Sequence, residues 1–233
     1  YARGVQFYGK ALGLSPGNPK ILVGLAKWSY FAGDLESARR RLREALNRNP
    51  TGSESRAYLT YLGESVDWPE EIGKAAASKQ ISRGEMAGFL VVQMADQKGL
   101  WENPFTPVLT DISSHWGRDL ILNSVRRGWM VAWPDHTFGP DDGMTRATLA
   151  GVLYNIFHRE GVNIGDLSHI SRPVDMSPRH HFLRSVLFAL GWQLMQKTGD
   201  DVFSPLGRVS GVEAIEALER AKRLLYPMGI EGG

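Results

Sequence analysis

The sequence predicts an all-α protein, and three observations carry that expectation. Apolar residues recur at helical spacing through most of the 233 residues. Within the first sixty residues, similar side chains return at intervals of 34: Ala11 and Ala45, Leu12 and Leu46, Pro16 and Pro50. Further on, an apolar residue followed by Ser or Thr three times opens an apolar-rich helix, in ISRGEMAGFLVVQM (81–94), MTRATLAGVLYNIF (144–157) and VSGVEAIEALERAK (209–222).

The N-terminal elements follow from the interval of 34. Leu22, Leu25 and Ala26 line one face of a helix over 20–32, and Gly33-Asp34 breaks it. Ala38, Leu42 and Ala45 line a second helix over 35–48 that runs to Pro50, and a third is expected over 53–63. This is the spacing of tetratricopeptide repeats, with Leu22 where that family commonly has Trp. The segment 1–64 resembles the second helix of one repeat, a full repeat and a following helix. Such arrays expose a concave surface to protein partners, which implies Lys27, Tyr30 and Phe31 as contacts. A start inside a repeat implies a fragment of a longer protein, as stable arrays usually contain three or more repeats. The arginines Arg39, Arg40, Arg41, Arg43 and Arg48 are expected to form a solvated helix face.

The later helices follow from capping chemistry. Ser82, Thr145 and Ser210 each precede a helix, expected over 82–96, 145–158 and 210–224, where a hydroxyl accepts a free amide of the first turn. Glu85 and Glu213, three residues on, predict capping boxes in the first and third copies, and Thr148 leaves the middle box incomplete. Upstream of the last two copies, DISSHWGRDLILNSVRRGW and DMSPRHHFLRSVLFALGW predict helices over 115–127 and 179–190, each ended by Gly-Trp. The loops that follow contain FGP (138–140) and FSP (203–205). Trp116, Trp129 and Trp192 lie in apolar patterns and are expected to pack in the core.

His115-Trp116, Gly128, WPDHTFGP and MTRAT together resemble the S-layer homology module. The third copy keeps FSP and the Ser-x-x-Glu cap but has Gly211 in place of the arginine, and the first keeps SRGE alone. The resemblance divides the region 65–233 into modules at about 65–100, 108–160 and 172–226. It implies three modules in a pseudo-threefold helical arrangement, with cell-wall glycan bound in grooves between them. By the same resemblance Arg83 and Arg146 contact an anionic group of the glycan, and Gly211 removes one groove. A guanidinium fork matches a carboxylate in two bonds, and free amides at a helix start add to an anion site. Trp133 and Asp135 would flank the sugar. The alternative is that Arg146 pairs with a neighbouring acid such as Asp141 or Asp142.

Other functions find little support. The chain has no Cys, hence no disulfide, thiolate-zinc site or cysteine nucleophile. It contains no HExxH, no GxGxxG and no complete GxxxxGK[ST] loop. His180-His181 reads as a pair of surface side chains on a helix, diverging by about 100° rather than converging on a metal. Gly199-Asp200-Asp201 and Pro140-Asp141-Asp142 read as turn formers. A net charge of +2 gives no case for nucleic acid. No apolar run reaches membrane-spanning length. No catalytic residue, metal or cofactor is implied.

The expected protein is exported and bacterial, periplasmic or at the cell surface, its signal sequence lying outside these residues. It anchors or scaffolds, holding cell-wall polymer through the S-layer-like grooves and a protein partner through the repeats. In the alternative it is a protein–protein adaptor of an envelope complex whose modules no longer bind glycan. The groove at Arg146 separates the two: open in an anchor, occupied by protein side chains in an adaptor.

Overall fold

The computed structural model describes residues 2–50, 52–62, 69–94 and 108–226. These form helices α1 (Ala2–Leu14), α2 (Pro19–Phe31), α3 (Leu35–Arg48), α4 (Ser53–Tyr61), α5 (Glu70–Ala76), α6 (Arg83–Met94), α7 (Arg118–Arg126), α8 (Arg146–Arg159), α9 (Leu183–Gly191) and α10 (Gly211–Leu225). The described residues contain no strand, only isolated bridges such as Ser82 with Gly143 and Thr145 with Arg208. The fold is all-α. No described helix is long and apolar enough to cross a membrane.

The chain divides into two compact units, one holding α1–α4 and the other α5–α10. In the first, α2 starts at an Asn18 cap with Pro19 at its first position, where the missing amide costs nothing. Asp34 caps α3 by accepting the Ser37 amide. Leu22, Val23, Ala26, Leu42, Ala45, Tyr58 and Leu59 form the core, with Leu12, Leu46 and Leu62 at its edge. The small residues at 26 and 45 permit close helix contact.

In the second unit the three capped helices meet at their starts. The Ile81 amide donates to the Val209 carbonyl (2.9 Å), Met144 to Ile81 (2.8 Å), and Val209 to Met144 (3.2 Å). Each helix start donates to one neighbour and accepts from the other, so the three bonds close a ring. Ile81, Met144 and Val209 are buried at its centre. Around it α8 packs on α9 and α10, and α5 packs on α10.

All three caps are present. Ser82 Oγ accepts from Glu85 N (3.2 Å), Thr145 Oγ1 from Thr148 N (3.3 Å) and Ser210 Oγ from Glu213 N (3.2 Å). The first box is as expected, and the other two depart from expectation. Ser82 N donates to Glu85 (2.7 Å), and the middle box is complete because Thr148 Oγ1 accepts from Thr145 N (2.9 Å). In the third copy Glu213 turns its carboxylate to Arg146 instead.

Helices α7 and α9 start later than the expected 115 and 179. His115 N donates to Ile112 O, and His115 Nδ1 accepts from Gly117 N, closing a turn before α7. His180 forms the matching turn with Ser177 and Phe182 before α9. His180 and His181 therefore precede the helix rather than lie on it. Trp129 is buried, whereas Trp116 and Trp192 are half-buried, the latter against Phe157 (5.2 Å between ring centroids). Helix α5 is a seven-residue element that sequence periodicity does not announce.

Candidate functional site at the module junctions

The two loops at 131–142 and 196–207 share one construction, residue for residue at an offset of 65. Trp133 N donates to Thr137 O and Thr198 N to Val202 O, both at 2.8 Å. Asp111 accepts the amides of Phe138 (2.9 Å) and Gly139 (2.7 Å), and Asp175 those of Phe203 (3.0 Å) and Ser204 (2.7 Å). Burial alone would raise the Asp175 carboxyl, but the two amides, aided by Arg146, bring it below its ordinary value. His136 and Asp201 both adopt left-handed backbone (φ 64° and 59°).

Each loop is held by the arginine at the start of the preceding capped helix. Arg83 Nε donates to Phe138 O (2.8 Å) and Nη2 to Val131 O (2.9 Å). Arg146 Nε donates to Phe203 O (2.8 Å), Nη2 to Gln196 O, and Nη1 to Glu213. Each guanidinium also stacks on the loop's phenylalanine, 4.6 Å from the Phe138 centroid and 4.7 Å from Phe203. Burial pushes both arginines below their ordinary pKa, but a guanidinium stays charged.

Three expectations are thereby corrected. Arg146 is not an open anion receptor: it is 7% exposed, and its three donor nitrogens are used within the protein. Its acid partner is Glu213 of α10 and not Asp141 or Asp142. Nor are the first amides of the helix free. Arg146 N donates to Gly207 O (2.9 Å) and Ala147 N to Pro205 O (3.0 Å), just as Arg83 N and Gly84 N donate to Asp142 O and Pro140 O. The arginine appears early in the helix because the loop at 196–207 presents carbonyls there. Those acceptors offset the unfavourable dipole.

At the third helix start the Gly211 amide donates to Ser78 O (2.9 Å). A Cβ on Gly211 would come within 2.1 Å of Ala75 O, so only glycine fits beneath the end of α5. The backbone at Ala75–Ser78 takes the place that a loop and its arginine occupy at the other junctions.

Trp133 is 48% exposed, with its ring 5.0 Å from the Arg83 guanidinium, so Arg83 lies against both Trp133 and Phe138. Asp135 is a turn former: its Oδ1 accepts from the Thr137 amide (3.0 Å) and hydroxyl (2.6 Å), which lower its pKa.

A surface pocket of about 190 Å³ lies between the start of α8, the loop at 196–207 and α10, bordered by Arg146, residues 194–198 and the α10 residues Glu213, Glu216, Ala217 and Arg220. The residue matching Trp133 here is Thr198, a smaller side chain. Arg220 donates to Leu194 O (3.1 Å), as Asn155 of α8 does to Trp129 O (3.3 Å) at the preceding junction. Gln196, Lys197, Thr198, Glu216 and Arg220 escaped the sequence reading, which followed Arg83, Arg146, Trp133 and Asp135 and took Glu213 only for a capping residue. The offset of 65 between loops was the signal that locates them.

Among the proposed partner contacts, Lys27 pairs with Glu54 (2.6 Å) and lies 5.1 Å from the Tyr58 ring. Tyr30 is half-buried, and the Phe31 side chain lies outside the described residues.

Comparison with known families finds one match in each of the two compact units. Residues 1–59 match the tetratricopeptide repeat model and residues 109–150 the S-layer homology domain model. No curated protein and no solved structure matches the chain. Both domains are non-catalytic kinds, one suggesting protein–protein interaction and the other cell-surface anchoring. The chain therefore contains a tetratricopeptide repeat at residues 1–59 and an S-layer homology domain at residues 109–150, and the latter implies a place at the cell surface or envelope.

Proposed function

We propose that the protein is a non-catalytic scaffold of the bacterial envelope, attached to cell-wall polymer through its S-layer-like region and to a protein partner through its repeats. The observation that carries this reading is the pocket between the second and third modules, next to the matched S-layer homology domain. It brings hydrogen-bonding side chains from two modules to one surface concavity. The hydrogen-bonded ring of Ile81, Met144 and Val209 supports a pseudo-threefold arrangement of modules at about 65–100, 108–160 and 172–226. In that arrangement the first junction is lined by Arg83, Trp133 and Asp135, the second contains the pocket beside Arg146, and α5 fills the third. The exposed part of Trp133 offers a sugar a flat face at the first junction. On the repeats, Lys27, Tyr30 and Phe31 are the proposed contacts for the partner.

One observation favours a second reading, a protein–protein adaptor without glycan affinity. Both module arginines are committed to acceptors within the protein. Co-sedimentation of the purified chain with bacterial cell-wall sacculi separates the two. Saturable binding supports the anchor, and its absence supports the adaptor.

A further inference from the structure

We infer that the pocket beside Arg146 recognises an uncharged, hydroxyl-rich glycan unit rather than an anionic one. The inference rests on the polymer-binding reading and adds the chemical class of its ligand. Three cations border the pocket, and each has a carboxylate partner within the second unit. Arg146 pairs with Glu213, Arg220 with Glu216 (2.8 Å) and Lys197 with Asp201. Two of those carboxylates, Glu213 and Glu216, themselves border the pocket. An incoming carboxylate or phosphate would be repelled by these two acids, and to reach the buried Arg146 it would have to displace Glu213. The exchange trades one ion pair for another and gains little.

A neutral sugar meets no such opposition. Its hydroxyls both donate and accept, so one ring can bridge a guanidinium edge and a carboxylate without separating the pair. Glu213 and Glu216 retain side-chain exposures of 28% and 55%, and Arg220 of 32%, so each has surface left for a ligand. Drug-sized ligands occupy roughly 300–1,000 Å³. The pocket is smaller, at about 190 Å³, and suits one sugar residue or an edge of one.

The first junction explains why the cavity exists where it does. There Trp133 lies against the arginine, and no charged side chain stands at the positions matching Lys197, Glu213, Glu216 and Arg220, which are Ala132, Thr148, Gly151 and Asn155. At the second junction Thr198 replaces the indole, and three acid–base pairs surround the space.

The test uses the whole chain and two preparations of cell-wall sacculi: intact, and with carboxyl groups chemically reduced to alcohols. The expected result is equal binding to both, changing less than twofold between 50 and 500 mM salt. Thr198→Trp, which copies the first junction, should reduce binding at least tenfold with an unchanged melting temperature. Glu216→Gln releases Arg220 and should shift preference towards the intact, acidic preparation. Binding to intact sacculi that is lost on carboxyl reduction would overturn the inference while leaving the anchor in place. Undiminished binding by Thr198→Trp, together with an unchanged preference in Glu216→Gln, would also overturn it, by locating the site elsewhere. No binding to either preparation would overturn the polymer-binding reading itself.

Discussion

Replacing Arg146 with alanine tests whether this residue is a structural clamp. The side chain is 9% exposed and holds two loop carbonyls, Phe203 O and Gln196 O, along with the Glu213 carboxylate. Hydrogen bonds from a charged donor contribute about 1.5–3 kcal/mol each, and they are not additive when they share one group. Glu213 is 28% exposed, so water compensates much of the lost ion pair, and its share is small. The carbonyl of fully buried Phe203 has no such relief. Together these terms predict a loss of about 2–4 kcal/mol on Arg146→Ala. That corresponds to a fall in melting temperature of about 10 °C for a domain of this size. Arg146→Lys should recover less than half, because an ammonium cannot span the two carbonyls and Glu213 as the planar fork does. Urea and thermal unfolding followed by circular dichroism provide the measurement. An alanine variant as stable as the parent that no longer binds sacculi would refute the clamp and return Arg146 to the ligand.

Three further outcomes are expected. Gly211→Ala should cost about 2–3 kcal/mol because its Cβ meets the backbone of α5, whereas Gly73→Ala, with open space around it, should gain up to about 1 kcal/mol; equal effects in urea denaturation would show that α5 does not sit tightly on the third helix start. His136→Gly should stabilise by about 0.5 kcal/mol by relieving left-handed backbone at an exposed position, and a lowered urea midpoint would mean that the imidazole makes contacts of its own. Because the Asp175 pKa is depressed on folding, its contribution is present above the ordinary carboxylate range and is lost as the pH falls through the folded value; Asp175→Asn should flatten the acid limb of a stability–pH curve, and an unchanged limb would remove Asp175 from the linkage.

The sequence alone determined the features whose causes are local. A hydroxyl before an apolar-rich run caps a helix wherever that run packs, so Ser82, Thr145 and Ser210 were legible as helix starts. The interval of 34 located α2 and α3 through their small and large apolar residues, because helix length and turn length set that period. The purpose of each polar side chain was decided by tertiary structure. Glu213 looked like half of a capping box, yet its carboxylate goes to Arg146, 67 residues away, while Thr148 completes the box that looked incomplete. Arg146 was visible as a cation out of place at a helix start. Its acceptors at Phe203 and Gln196 lie 57 and 50 residues on, and no window of neighbouring residues contains them. The same holds for Gly211, whose missing side chain makes sense only beneath Ala75, and for the pocket, which brings Arg146 together with Glu213, Glu216 and Arg220 of α10. Caps and periods act over one or two helical turns, whereas charge pairing and cavity shape depend on groups that only the folded chain brings together.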